Sequence, residues 1–493
     1  MADHDPRDIL VGGVWKQGSG ELITVRSPHG GSVLAVVAGA AEADVDEAVR
    51  AGQAAMADPS WRELLPHQRA RVFTRIADLI EQNLEELARL QTADNGKPIT
   101  ETRALAASAA GTFRYVGATL ETLDEELPVA RGPYFTMSVH EPLGVIGAIT
   151  PWNSPLASEA QKIAPALAAG NAVVLKPSAW TPLVALEMGR LIIEAGLPPG
   201  LLSVLPGRGS VVGQALVEHP LVAKIAFTGG TATGRRVAHA AADKVMPVSL
   251  ELGGKSPTVI FDDADIDLAV HGVTYGIFSS QGQACIAGSR LFVHRSRYDE
   301  VLEKLVAKAE RIVVGDPDDE GTHMGPLINQ AHLESVDAYV QLAVQEGGSV
   351  RLGGRRLSGG VHDAGAFYPP TIIEGLCASS RVCQEEIFGP VLVVMAFDDD
   401  DDLVAQANDS VFGLACGVWT EDYRRAWSVA RRIDAGTVWI NTYKLLSAAA
   451  PFGGFKQSGV GREKGRAWLR EYSGQKSIYW GTNARPFQWP DIS

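Results

Sequence analysis

Covalent chemistry in this 493-residue chain could start at one cysteine set among small residues. Cys285 lies in QGQACIAGSR (Gln281–Arg290), with Ala284 before it, Ala287 two positions on, and Gly282 and Gly288 at the flanks. Small neighbours let a substrate reach the sulfur, and glycine leaves the backbone free to turn its N–H groups toward it. The nucleophile is the thiolate, and at a reference pKa of about 8.5 only about 3% of a thiol is ionised at pH 7. Taken alone, such a cysteine is more often buried and structural. Partners elsewhere must decide.

Three further stretches carry chemical content. Ser249–Pro257, SLELGGKSP, reads as a strand that ends in Glu251 and enters a double-glycine turn. A carboxylate there could serve as general base. Ile149–Pro155, ITPWNSP, follows another strand, and its two prolines hold an irregular loop around Asn153. That side-chain NH₂ could meet a developing oxyanion together with the Cys285 N–H, and losing one such donor costs about 10²–10³ in rate. Phe227–Gly234, FTGGTATG, is a strand, a glycine turn and a helix start, a geometry that receives phosphate on backbone N–H groups. Gly207–Gly213, GRGSVVG, is a looser version without the full GxGxxG.

The elements that would position these residues follow from periodicity. The N-terminal third looks helical: Leu79, Ile80, Leu84, Leu87 and Leu90 recur at three- and four-residue steps through Val72–Leu90, before the turn Asn95-Gly96. From Val139 the pattern changes to short apolar runs. Strands are expected at Gly144–Ile149, Ala172–Leu175, Leu201–Leu205, Lys224–Phe227 and Val248–Leu250, with helices at Leu183–Ala195 and Thr231–Ala242. This rhythm implies a parallel sheet with helices on its faces, binding ligands at the carboxyl ends of its strands. A second α/β region follows, with strands at Pro257–Phe261, Arg290–His294, Val391–Phe397 and Gly436–Ile440. The acidic run Asp398–Asp402 reads as a solvated helix start.

Composition narrows the class. The hydrophobic share is 46% and the charged share 21%, ordinary for a globular protein, and the length suggests two or three domains. A net charge of −14 argues against nucleic-acid or anionic-membrane partners. Neither a signal peptide nor a membrane-spanning run is visible. The four cysteines (Cys285, Cys377, Cys383, Cys416) form neither a disulfide framework nor a zinc motif. A reduced, cytoplasmic protein without structural metal is expected.

Together, ITPWNSP, VVLKPS, FTGGTATG, LELGGKSP, QGQACIAGSR, QEEIFGPV and PFGGFKQSGVGRE run in order from Ile149 to Glu463 and resemble the aldehyde dehydrogenase superfamily. The resemblance implies a catalytic group of Cys285 as nucleophile, Glu251 as base for hydrolysis, and Asn153 as oxyanion donor. It implies an NAD or NADP site formed by Thr150, Pro151, Trp152, Lys176, Ser178, Ala179, Gly209, Gly213, Phe227, Gly229, Gly230, Leu252, Glu386 and Phe388. Glu463 matches a second family carboxylate, either a proton relay or a structural partner. The implied fold is a Rossmann-type cofactor domain (1–120 and 140–254), an α/β catalytic domain (255–472) and a small β oligomerisation arm (121–139 and 473–493). A homodimer or homotetramer is expected, with Tyr472–Tyr479 adding a strand to a neighbour's sheet.

Two departures from the family pattern matter. Many NAD-preferring relatives carry Glu where this chain has Ala179, so discrimination against NADP is reduced and the choice of cofactor stays open. The substrate tunnel, often apolar in relatives, would be formed by Ser154, Ser158, Gln161 and Ser279 with Lys444 near the mouth. That suggests a polar or bulky aldehyde. Lys444 is either a solvated surface residue or a partner for an anionic group at the far end of the substrate. A CoA-acylating dehydrogenase is the alternative within enzymes, and Glu251 argues against it. A silent structural homologue is the alternative outside them, and the presence of Cys285, Glu251 and Asn153 argues against that.

Overall fold

A computed structural model describes residues 5–482. Five short apolar runs form the parallel centre of the first sheet: Val145–Ile149, Ala172–Lys176, Leu202–Val204, Val222–Thr228 and Val248–Glu251. Val145–Ile149 and Ala172–Lys176 are buried at every position, as strands covered on both faces must be. In space they stand third, second, first, fourth, fifth. The order reverses between Val145–Ile149 and Val222–Thr228, and such a reversal opens a crevice at the carboxyl ends. Antiparallel edges are added by Ile9–Val11 on one side and Gly459–Val460 on the other.

Six parallel strands build most of the second sheet, ordered Thr371–Glu374, Val391–Phe397, Arg290–His294, Pro257–Ile260, Ala415–Trp419, Thr437–Ile440. Because they are parallel, the segments that lead into them share one edge. Gly253–Ser256, Cys285–Ser289 and Glu385–Pro390 therefore gather beside the strand end that carries Glu251. A third, two-stranded ribbon pairs Tyr134–Pro142 with Ser473–Gly481 over nine residue pairs. No helix among the described residues is long and apolar enough to cross a membrane.

Several expectations need correction. The N-terminal third is not simply helical. Ile9–Val11, Val14–Lys16, Leu22–Arg26 and Val33–Ala38 are strands, too short and too mixed in exposure for a clear period. The leucine repeat spans two helices, Pro66–Gln82 and Leu84–Asn95. Asn83 breaks them, its Nδ2 donating to the Leu79 carbonyl at 2.8 Å in competition with the helix. Gly144 (φ 138°) is a turn ahead of its strand, and Tyr472 is not in the arm strand but buried in the short helical segment Arg466–Tyr472. Trp468, Leu469 and Tyr472 pack into the core of the first sheet, so the chain returns to that core before residue 472. The part of the expected arm beyond residue 482 lies outside the described residues. The acidic run does start a helix: Asp399 accepts from the N–H groups of Asp401 and Asp402 ahead of Asp400–Asn408.

Two glycines give opposite expectations. A Cβ on Gly111, within the helix Ile99–Leu120, meets nothing within 4 Å. Gly111→Ala should stabilise by about 0.5–1 kcal/mol, read as a higher urea midpoint. A Cβ on Gly436 would lie 1.6 Å from the Gly453 carbonyl oxygen. Gly436→Ala should therefore cost most of the folded yield on gel filtration.

Candidate active site

After the helix Ile266–Phe278, the chain turns through three consecutive left-handed residues: Ser280 (φ 58°), Gln281 (φ 56°) and Gly282 (φ 68°). Such a conformation costs a non-glycine residue on the order of 1–3 kcal/mol and persists only where neighbours impose it. Here Glu101 accepts from Ser280 N at 2.8 Å and from its Oγ at 2.6 Å, and Gln281 Nε2 donates to Gly96 O at 2.8 Å. A Cβ at Gly282 would sit 2.1 Å from Gly389 O, so only glycine fits. Gln283 Oε1 accepts from Ile328 N at 2.9 Å. Asn153 Nδ2 donates to Gln283 O at 2.9 Å, which joins the Asn153 loop to the backbone two residues before Cys285. The second amide hydrogen of Asn153 and the N–H of Cys285 have no partner among the described residues. Both are free to meet an oxyanion.

Cys285 keeps some exposure, but its sulfur is enclosed enough for desolvation to dominate. Burial, then the Glu386 and Glu251 charges, push the thiol up to about 12, against the Ile286 N–H and the Lys444 ammonium. Both carboxyls are themselves shifted. Glu386 is raised to about 7 by burial, opposed by the Gly254 N–H that it accepts at 3.1 Å. Glu251 is held well above the usual carboxylate range by burial and by the Glu463 charge. Its Oε2 is buried without a hydrogen-bond partner among the described residues. Glu463 is an ion-pair partner rather than a free acid, bonded to buried Lys162 at 2.6 Å.

A cavity of about 610 Å³ opens at the reversal of the first sheet. Thr150, Pro151, Trp152, Lys176, Ser178, Ala179, Gly209, Gly213, Phe227, Gly229 and Gly230 line it, as do Trp180, Gln214, Thr233 and Arg236, which sequence reasoning missed. The last two lie on the helix that follows the glycine turn and could have been read from its first turns. The residues present fit a dinucleotide. A Cβ on Gly230 would meet nothing within 4 Å, so the bare turn faces open space at the start of the helix Thr231–Ala242. Thr150 Oγ1 and Thr231 Oγ1 are buried without partners among the described residues. Buried Lys176 donates to Pro177 O and is held down to about 8 by desolvation. Leu252, Glu386 and Phe388 are not part of this wall. Leu252 packs on Gly234, and Glu386 lies against Gly253 and Gly254. Phe388 (φ 57°) meets the Trp152 ring edge at 5.4 Å, and its carbonyl accepts from His332 Nε2 at 2.8 Å.

The tunnel candidates fall into two groups. Ser158 and Gln161 are the only residues of the helix Pro155–Ala168 that are not buried, and Ser154 precedes them on the same face. Ser279 instead meets Lys444, whose Nζ donates to its Oγ at 2.7 Å and lies 5.7 Å from the Tyr275 ring centroid. Ser279 and Tyr275 also border a separate cavity of about 560 Å³ with Glu101 and Phe278. Lys97 and Lys464 were not foreseen as site residues, although both lie within or beside quoted motifs. Each is buried with a lowered pKa, mainly by desolvation, and each is near enough to Cys285 to interact with its charge.

Comparison with known proteins agrees with this architecture. The aldehyde dehydrogenase family model matches residues 15–478. Human retinal dehydrogenase 2 is 42% identical over 95% of this chain and 91% of its own length. Phenylacetaldehyde dehydrogenase of Pseudomonas fluorescens is 41% identical over 96% and 95%. The NAD⁺ complex of an aldehyde dehydrogenase from Bacillus cereus superposes with TM-score 0.95, at 39% identity and 97% coverage of both chains. With two parallel sheets meeting at a cysteine loop and a dinucleotide-sized cleft beside it, the chain belongs to the aldehyde dehydrogenase family and is an NAD(P)-dependent aldehyde dehydrogenase.

Proposed function

We propose that the chain oxidises its aldehyde to the carboxylic acid through an acyl-enzyme on Cys285 that water hydrolyses. The observation that carries this reading is the unpartnered Glu251 Oε2, buried yet close enough to Cys285 for the two charges to interact. Cys285 Sγ adds to the carbonyl carbon, and the oxygen becomes an oxyanion between Asn153 Nδ2 and the Cys285 N–H. Collapse of this thiohemiacetal sends hydride from that carbon toward the cleft and leaves a thioester. A nicotinamide held in the cleft lined by Trp152, Lys176 and Gly230 would supply the hydride acceptor. Glu251 then takes a proton from water as the oxygen attacks the thioester; the C–S bond breaks and the thiolate departs. Aldehyde, water and oxidised cofactor give acid, reduced cofactor and protons.

In this reading the first sheet carries the cofactor and the second the nucleophile. Among the described residues Ser473–Gly481 pairs on one edge, which supports a homodimer or homotetramer built by strand addition. Four free thiols suit a reduced, cytoplasmic setting.

Glu251 acts deprotonated, and its pKa is raised. Turnover should therefore still climb as pH rises above the usual carboxylate range, where an unshifted carboxylate would already give a plateau. Glu251→Gln should abolish that limb and, under rapid mixing, give a burst of reduced cofactor followed by turnover slowed by about 10²-fold or more. An unchanged steady-state rate in this variant would remove Glu251 from the mechanism.

Ala179 lines the cleft without charge, so the enzyme should accept NADP as well as NAD. Ala179→Glu should depress kcat/KM for NADP far more than for NAD. A carboxylate 4 Å from a 2′-phosphate charge costs about 1–4 kcal/mol between water and protein-surface dielectrics. A wild type that already rejects NADP by several powers of ten would overturn this reading.

A further inference from the structure

The turn that presents Cys285 is gripped at both ends by two adjacent residues of another segment. Tyr443 and Lys444 follow the strand Thr437–Ile440. The buried Tyr443 ring stands 4.8 Å from that of Trp439, and a Cβ on Gly276 would meet its Cδ1 at 2.9 Å. Tyr443 therefore lies against the helix Ile266–Phe278, which leads into the turn. Its Oη donates to Ile286 O at 3.0 Å, one residue beyond the nucleophile. Lys444 meets the other end: its Nζ donates to Ser279 Oγ at 2.7 Å and lies 3.4 Å from Ser279 O.

This second contact clips the end of a helix. Ser279 Oγ donates to Tyr275 O at 2.6 Å, so the hydroxyl hydrogen is committed to the last turn and a lone pair remains for the ammonium. Lys444 thus sits at the carbonyl end of the helix, where the dipole favours a cation. Ser280, next in the chain, is held by a second charged group, Glu101, at 2.8 and 2.6 Å. Such charge-assisted bonds are roughly twice as strong as neutral ones. Without them Ser280 and Gln281 would have to stay left-handed unaided, which only glycine does freely. Lys444 is itself left-handed (φ 57°), a conformation that a long side chain keeps only where contacts impose it. Trp439 Nε1 fixes its far side by donating to Leu445 O at 2.8 Å. Ionising the thiol is not its main effect, since burial, Glu386 and Glu251 each outweigh its charge there.

We propose that Lys444 is a positioning residue: paired with Glu101 across Ser279 and Ser280, it fixes the turn that aims Cys285 at the carbonyl carbon. This rests on Cys285 being the nucleophile, as above. The test is a double-mutant cycle with NAD and either hexanal or benzaldehyde. Lys444→Met and Ser279→Ala should each lower kcat by about tenfold, with the KM for NAD unchanged, and the double variant should be no worse than Lys444→Met. Lys444→Arg should recover most of the loss. Ser280→Gly placed in the Lys444→Met chain should bring kcat back to within about threefold of wild type, because glycine keeps the turn without help. Recovery by a residue without charge separates positioning from an electrostatic effect on the thiol. Independently of turnover, amide hydrogen exchange over residues 281–286 should be about tenfold faster in Lys444→Met than in wild type. Unchanged kcat and exchange in Lys444→Met, an additive double variant, or no recovery with Ser280→Gly would overturn the proposal and leave the dehydrogenase reading intact. No cofactor reduction by wild type with either aldehyde would overturn that reading, and hydrogen exchange would still decide whether Lys444 holds the turn.

Discussion

The short junction between the helices Leu84–Asn95 and Ile99–Leu120 is the clamp on which the site depends. It grips the two loops that must meet. Asn95 Nδ2 donates to the carbonyls of Trp152 and Asn153 at 3.3 and 3.4 Å. Gly96 O and Glu101 hold Gln281 and Ser280 in their left-handed turn. A segment from the first half of the fold thus fixes both the Asn153 loop and the turn that leads to Cys285. The strain of that turn, on the order of 1–3 kcal/mol per non-glycine residue, is offset by hydrogen bonds made in a buried setting. Gly96 closes its helix with φ 76°, and a Cβ there would press on Pro326 at 2.8 Å, so the junction has little freedom to relax.

The same enclosure that aims these groups shifts their charges. Desolvation raises Cys285, Glu251 and Glu386 together, which favours the neutral form of each. The neutral forms relieve what would otherwise be repulsion among three neighbouring anions.

Much of this arrangement was legible in the sequence because it lies in contiguous motifs. The Thr231–Ala242 helix and the Arg290–His294 and Val391–Phe397 strands fall at their expected bounds, since each has a strong period and a turn at its edge. Eleven of the foreseen cofactor residues share one cavity wall because they lie at the carboxyl ends of the parallel strands or in the segments that follow them, and those ends converge. Illegible features were those made by distant contacts. Nothing local marks Asn95 as a clamp, Lys162 as the partner of Glu463, or Gly436 as a residue pressed against Gly453. The opening strands, three to six residues long, were hidden for another reason: so few residues show no usable alternation.

The departures from family pattern acquire physical meaning only when placed in space. Ala179 and Lys444 were both visible as unusual residues, yet the structure sets them apart: Ala179 is in the wall of the dinucleotide-sized cleft, and Lys444 lies beside Ser279. Lys444 bears on Cys285, and Lys464, which follows Glu463 in sequence, bears on Cys285 as well as on that acid. An ammonium in low dielectric is costly to leave alone. Among the described residues these two are met by an aromatic face and a hydroxyl rather than by a carboxylate within 4.0 Å: the Lys464 Nζ lies 5.6 Å from the Phe452 ring centroid, and Lys444 donates to Ser279 Oγ at 2.7 Å.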